Sequence, residues 1–500
     1  MPPFRPPVAA LPFLALLGSN ACGGTASSAA SHDAATHDTG TLSFPDASRD
    51  SAHPHPVADA GHDSSPVDSG TDVDLGSLST TYPAFTPDLP QIVANEGTVL
   101  ASPVIVTITW PASDLDATTW EAMGDAIGSS SYWKSTTGPY GVGPATSGDV
   151  NHVHMTKALP ASLSYTDLDN YVLAAVTATM VDAGSAPDAG TPDGGDDASA
   201  PNPRWPAPTI SAGNAQTVYS LFIPQSVSVT DPGSGASFCD EGGLGYHANV
   251  TIGSQSFAYS VSLECAGQTL PDLEETVAHE YVEAVTNPYP NTMTIGYVGF
   301  DANHLSWDIY TGFNDELADG CQNWADSYYQ ESSAFPYWVQ RTWSNTSGAA
   351  GHDPCVPVPT GAYEGLTLFP SQQTLATINL TSIGFSKETT RVFAAKVGQT
   401  VTFDVGFYSD AQTSGPWTIS YDFPATTQLF DASGNPLGNG TATVTLDRTS
   451  GANGEKALVS VTPTMAGPLG FQVMAITWAP PTGAAAALYL PHYLPLLISN

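Results

Sequence analysis

Apolar positions between residues 82 and 290 alternate between two rhythms. Val104-Ile105-Val106-Thr107-Ile108-Thr109-Trp110 is a β-branched apolar run of the kind that fills a buried strand. Thr118 or Thr119 can then cap a helix with Trp120, Met123 and Ile127 on one face. Asn151-His152-Val153-His154 reads as another strand, and residues 165–180 as a second helix with Leu168, Val172 and Ala175 aligned. Residues 216–223 predict a central strand, and 257–263 an edge or hairpin strand. Thr269 then caps a helix that runs to Thr286 and stops at Asn287-Pro288. Pro271 suits its first turn, and Asp272, Glu274 and Glu275 suit the positive end of its dipole. Strand and helix signals alternate, which predicts an α+β or α/β domain over residues 81–360.

Beyond Gly361 the period becomes two: Val401, Phe403, Val405, Phe407; then Trp417, Ile419, Tyr421, Phe423; then Phe471, Val473, Ala475 and, after one slip, Trp478. Turn clusters separate these runs and no helical pattern intervenes. Residues 361–500 therefore predict an all-β immunoglobulin-like sandwich.

Two stretches lack apolar anchors. Residues 23–80 are dominated by Ser, Ala, Thr, Asp, Gly and Pro and predict a disordered tether; its His32, His37, His53, His55 and His62 read as polar linker residues. Residues 182–204 share that composition and predict a disordered insertion. Ahead of the tether, Arg5, a short apolar run from Val8 to Leu17, and Ala21-Cys22-Gly23-Gly24 predict a lipoprotein-type signal over residues 1–22, with Cys22 lipidated. Ser19 stands where such signals usually carry Leu. The expected location is the outer membrane or cell surface, otherwise secretion.

The 11 Lys and Arg against 48 Asp and Glu, a formal charge of -37, exclude nucleic acid and docking on anionic lipid through basic patches. Membrane contact is expected only through the lipid anchor. Cys239, Cys265, Cys321 and Cys355 remain, and pairing neighbours in sequence predicts Cys239–Cys265 and Cys321–Cys355.

The chemistry concentrates on His279-Glu280-Tyr281-Val282-Glu283. Residues four apart share a helix face, so His279 and Glu283 can ligate one zinc ion while Glu280 takes a proton from water. One more ligand is needed, and Glu316 and Asp319, three apart ahead of Cys321, are the candidates, with His304 a further one. Flanking Val277, Ala278, Ala284 and Val285 imply that the helix is buried, so its charged groups need partners. His152 and His154 share a strand face without an evident third ligand, and no GxSxG elbow is present.

The segments "FCDEGGLGYHANV", "VAHEYVEAVTNP", "NDELADGC" and "VQRTWSN", with "SYWKSTTGPYGVG" upstream, resemble in order the bacterial relatives of the phosphate-induced protein (Exordium) family over residues 95–357. The resemblance implies a secreted domain and leaves its activity open. Plant members of that family, implicated in growth responses, lack the HExxE pattern, whereas this chain keeps His279, Glu280 and Glu283. The resemblance also points to His247 as a residue bordering a cleft. In the zinc-hydrolase reading Tyr281 or His247 would support an oxyanion. Together these readings predict a tethered, zinc-dependent, metallohydrolase-like domain acting on a peptide or protein. The rival is a non-catalytic surface-binding protein in which the same helix is structural.

Overall fold

A computed structural model describes residues 76–94, 97–111, 117–182, 202–230, 235–240, 243–292, 294–311, 316–322, 327–358, 361–381, 387–422, 442–464, 471–479 and 492–499. The expected signal with Cys22, residues 23–75 of the expected tether and residues 183–201 of the expected insertion lie outside these. Residues 76–80 correct the tether boundary. Gly76 bridges Glu455, and the Ser79 amide donates to the Asn453 carbonyl at 2.8 Å. The polar composition of this stretch hides the fact that its backbone finds partners on the C-terminal sheets.

The N-terminal part is built on β1 (Val104–Thr109), α1 (Ala117–Ile127), β2 (His152–His154), α2 (Tyr165–Asp182), β3 (Thr217–Ile223), β4 (Gly245–Ile252), β5 (Gln255–Leu263) and α3 (Leu270–Thr286). The sheet order is β2-β1-β3-β5-β4, parallel except for β4, which pairs antiparallel with β5. Every residue of β3 is buried, as a central strand covered on both faces requires. On one face α1 and α3 pack on Ile105, Val218, Phe222 and Ala258, with Trp120 stacked on Phe222 at 4.8 Å. On the other, Leu168, Val172 and Val176 of α2 pack on Val106, Ile108, Tyr219 and Leu221, with Ala175 half-buried against the same cluster. The arrangement is a three-layer α/β unit. The strand at 257–263 does form a hairpin, but the edge belongs to β4, which the sequence reading missed. Gly245, His247 and Asn249 obscure its pattern.

The C-terminal part is all-β. One sheet runs Glu364–Leu368, Val401–Ser409, Lys456–Pro463, Ala442–Leu446; the other runs Thr374–Asn379, Lys387–Lys396, His492–Ser499, Phe471–Ala479, Trp417–Asp422, Ser450–Gly451. Their faces meet through Phe393 on Phe403 at 3.9 Å and Phe407 on Trp417 at 5.6 Å. Tyr421 departs from its predicted inward face and is 42% exposed. The core does not stop at residue 361: Leu89, Phe300, Leu305, Trp307 and Trp343 belong to the same apolar cluster as Leu366, Ile378, Phe393 and Ile476. Arg391 reaches Asp88 at 3.0 Å across this junction. Among the described residues no helix is long and apolar enough to cross a membrane.

Candidate metal centre

Helix α3 begins with a capping box between Thr269 and Asp272, carries Pro in its first turn and ends on Asn287, as its sequence predicts. It is buried continuously from Thr276 to Thr286, wedged between the sheet and the strand Trp338–Gln340. The approach to β4 is close. A Cβ at Gly245 would lie 2.7 Å from Thr276 Cγ2 and 2.9 Å from Glu280 Oε1, so glycine is required there.

Inside this wedge His279 Nε2 lies 3.1 Å from Glu283 Oε2 and 3.6 Å from Asp319 Oδ1. Asp319 is therefore the acid that joins His279 and Glu283. Its segment is pinned by the Cys321–Cys355 disulfide, with Cα atoms 5.8 Å apart, and its amide donates to Glu283 Oε1 at 3.3 Å. Glu316 sits elsewhere, 3.4 Å from His247 Nε2. The second disulfide, Cys239–Cys265, also forms as predicted.

His247, on the edge strand, faces the same cluster from the sheet. Its Nδ1 lies 3.7 Å from both Glu280 Oε2 and Glu283 Oε2. The ring protons of both histidines are fixed by their other partners. His247 Nε2 meets the Asn287 carbonyl at 3.1 Å, which can only accept. His279 Nδ1 meets Gln340 Oε1 at 2.9 Å, and the Gln340 amide is oriented because its nitrogen donates to the Ala318 carbonyl at 2.6 Å. The network thus turns a lone pair of each neutral imidazole toward carboxylate oxygens, an arrangement that needs a cation or a proton between them. His247 Nδ1, Glu280 Oε2 and Glu316 Oε2 are buried and make no hydrogen bond.

The electrostatics agree. Burial opposes charge on both imidazoles, but the surrounding carboxylates outweigh it and push His247 and His279 well above the ordinary histidine range. Burial lifts Glu283 well above its usual value despite His279, and lifts Asp319 to about 6. The donor set, imidazole nitrogen with carboxylate oxygen, fits zinc.

Asn287 and Gln340 were not singled out by sequence reasoning. Both stand inside the quoted "TNP" and "VQRTW" segments, yet only the fold shows that they orient the two histidines.

Two expected cleft residues lie elsewhere. Tyr281 projects from the opposite side of α3 into the core, with its hydroxyl beside Ser220 and Thr107. Just over half a helical turn separates it from Glu283. His304 pairs instead with Asp301 at 2.9 Å and Asp88 at 3.5 Å. His152 and His154 are satisfied by Glu121 at 3.7 and 3.0 Å, and His152 also by Asp125 at 3.0 Å.

His304 yields a pH prediction. Burial disfavours its charge, but Asp301 and Asp88 prevail and raise its pKa to about 9 from 6.5. A raised folded pKa stabilises below the unfolded value, and that contribution fades as pH rises through about 9. The stability deficit of His304→Gln, up to about 3 kcal/mol near neutrality, should shrink between pH 7 and about pH 10 in urea melts. A deficit that grows with pH would contradict the pairing.

No protein-family model matches the chain, and no curated protein matches it. Three solved structures show partial likeness. Domains 4 and 5 of the S-layer protein SbsC are 13% identical, over 27% of this chain and 48% of that one, with a TM-score of 0.14. The sialic acid binding region of a Streptococcus sanguinis SK1 adhesin is 16% identical, over 21% and 27%, with a TM-score of 0.15. The ASH/PapD-like domain 7 of human CEP192 is 17% identical, over 22% and 79%, with a TM-score of 0.14. At these scores none of the three assigns a fold or a site to this chain.

Proposed function

We propose that this protein is an exported, surface-tethered, zinc-dependent hydrolase, with peptide bonds as its substrate class and the C-terminal sheets as an immunoglobulin-like accessory unit. Its kinship with the phosphate-induced family rests on the motifs quoted above. The two disulfides support an oxidising, extracellular setting. One observation carries the catalytic reading. His279, Glu283 and Asp319 bring ligand atoms within 4.8 Å of one another, on elements fixed by a cap, a disulfide and the Gln340 hydrogen bond.

Zinc held by His279, Glu283 and Asp319 would supply Lewis acidity to the reaction. Glu280, one residue along the helix with its Oε2 3.7 Å from His247 Nδ1, would take the proton as the water oxygen bonds to the carbonyl carbon. It then returns that proton to the amine as the C–N bond breaks. His247 and Asn287 hold the sheet side of the cluster in place.

The depth of the site favours a second reading. His279 is 8% exposed, Glu280 2% and Glu283 0%, as suits a structural ion in a non-catalytic binding protein. Metal analysis and a peptide-library digest of the full chain separate the two. The hydrolase reading expects stoichiometric zinc and peptide cleavage that a chelator abolishes and added zinc restores. Zinc without cleavage of any peptide, with chelation lowering only the melting temperature, would replace it with the structural ion; absence of zinc would end both.

A further inference from the structure

The geometry points to a second divalent-cation site beside the first, formed by His247, Glu280 and Glu283, with Glu283 shared between the two. This rests on the reading of the His279 site as a metal centre. The ligand atoms of His247, Glu280 and Glu283 lie within 4.8 Å of one another, as do those of His279, Glu283 and Asp319. His247 Nδ1 is 3.7 Å from each of its two carboxylate oxygens. Ligand atoms about 2.1 Å from a tetrahedral ion stand about 3.4 Å apart, so little adjustment is needed.

Three further observations support the site. His247 is 1% exposed, and its Nε2 donates to the Asn287 carbonyl, which leaves the Nδ1 lone pair turned toward the two acids as a ligand atom. His247 Nδ1 and Glu280 Oε2 make no hydrogen bond, although buried polar atoms nearly always do. A carboxylate common to two ligand groups is the arrangement of two-ion centres, whose ions stand about 3.5–4 Å apart.

The second site offers one nitrogen and carboxylate oxygens, a set that takes Zn2+ or Mn2+. Glu280 Oε2 serves as proton acceptor while that site is empty and as ligand when it is filled.

The test uses full-length protein stripped with chelator and re-equilibrated with Zn2+ or Mn2+. Two ions per chain are expected in the wild type and one in His247→Gln, a replacement of similar size whose fold is checked by its melting curve. The Mn2+-loaded wild type gives a second readout that needs no variant: an exchange-coupled EPR spectrum instead of the six-line pattern of isolated ions. One ion in both wild type and variant would overturn the second site and leave the hydrolase reading standing. Two ions with an uncoupled spectrum, or two retained in His247→Gln, would place the second ion elsewhere and overturn it equally. No ion at all would remove both readings.

Discussion

Glu280→Gln lowers peptide hydrolysis about a hundred- to ten-thousand-fold while the ion at His279 stays bound, because the substitution removes a proton acceptor and no ligand of that ion. His279→Ala loses the ion and the activity together. Asp319→Asn behaves like His279→Ala, since Asp319 Oδ1 faces His279 Nε2. Glu316→Gln retains the His279-bound ion, because Glu316 stands against His247 and Asn287. Metal content per chain and kcat, measured on the same preparations, separate these roles. Zinc at full occupancy in His279→Ala would end the ligand assignment, and undiminished turnover in Glu280→Gln would end the mechanism.

Arg341→Leu destabilises the protein by about 3–5 kcal/mol, the scale for breaking a buried ion pair from one side. Arg341 is 1% exposed; its guanidinium holds the Asp353 carboxylate, the Cys355 carbonyl and, at 3.0 Å, the Pro357 carbonyl. Without it Asp353, 6% exposed, keeps its charge in the interior. Adding Asp353→Leu to Arg341→Leu should recover a large part of the loss, since the penalty lies in the stranded carboxylate. Denaturant melts of the single and double variants measure this. A single variant within about 1 kcal/mol of wild type would show that the pair carries no such penalty. Arg341 follows Gln340 in the chain, so its loss should also loosen the hydrogen bond that aims His279.

Helix α3 was legible because its signals are local: cap, first-turn Pro, acidic start and Pro stop are all written within 20 residues. The disulfide pairing followed from sequence proximity. The edge strand β4 was not legible, since Gly245, His247 and Asn249 break the apolar rhythm for reasons that lie in α3 and in the segment that follows it, and not in the strand. Choosing between Glu316 and Asp319 needed the third dimension as well. Both precede Cys321, but only the chain path between Leu317 and Cys321 sends one toward His279 and the other toward His247. His304 has the composition of a ligand and the surroundings of a structural ion pair, a distinction set by Asp88, more than two hundred residues away in sequence.

The apolar cluster that runs on past residue 361 limits how modular this protein can be. Its two parts look like exchangeable cassettes in sequence, each with its own periodicity, yet Trp343 and Phe393 are buried in one continuous interior. A recombinant protein cut at the apparent boundary would carry a raw hydrophobic face where Leu366, Ile378 and Phe393 had been. Loss of activity on such a cut would therefore record aggregation or unfolding, and would say nothing about whether the C-terminal sheets ever touch a substrate.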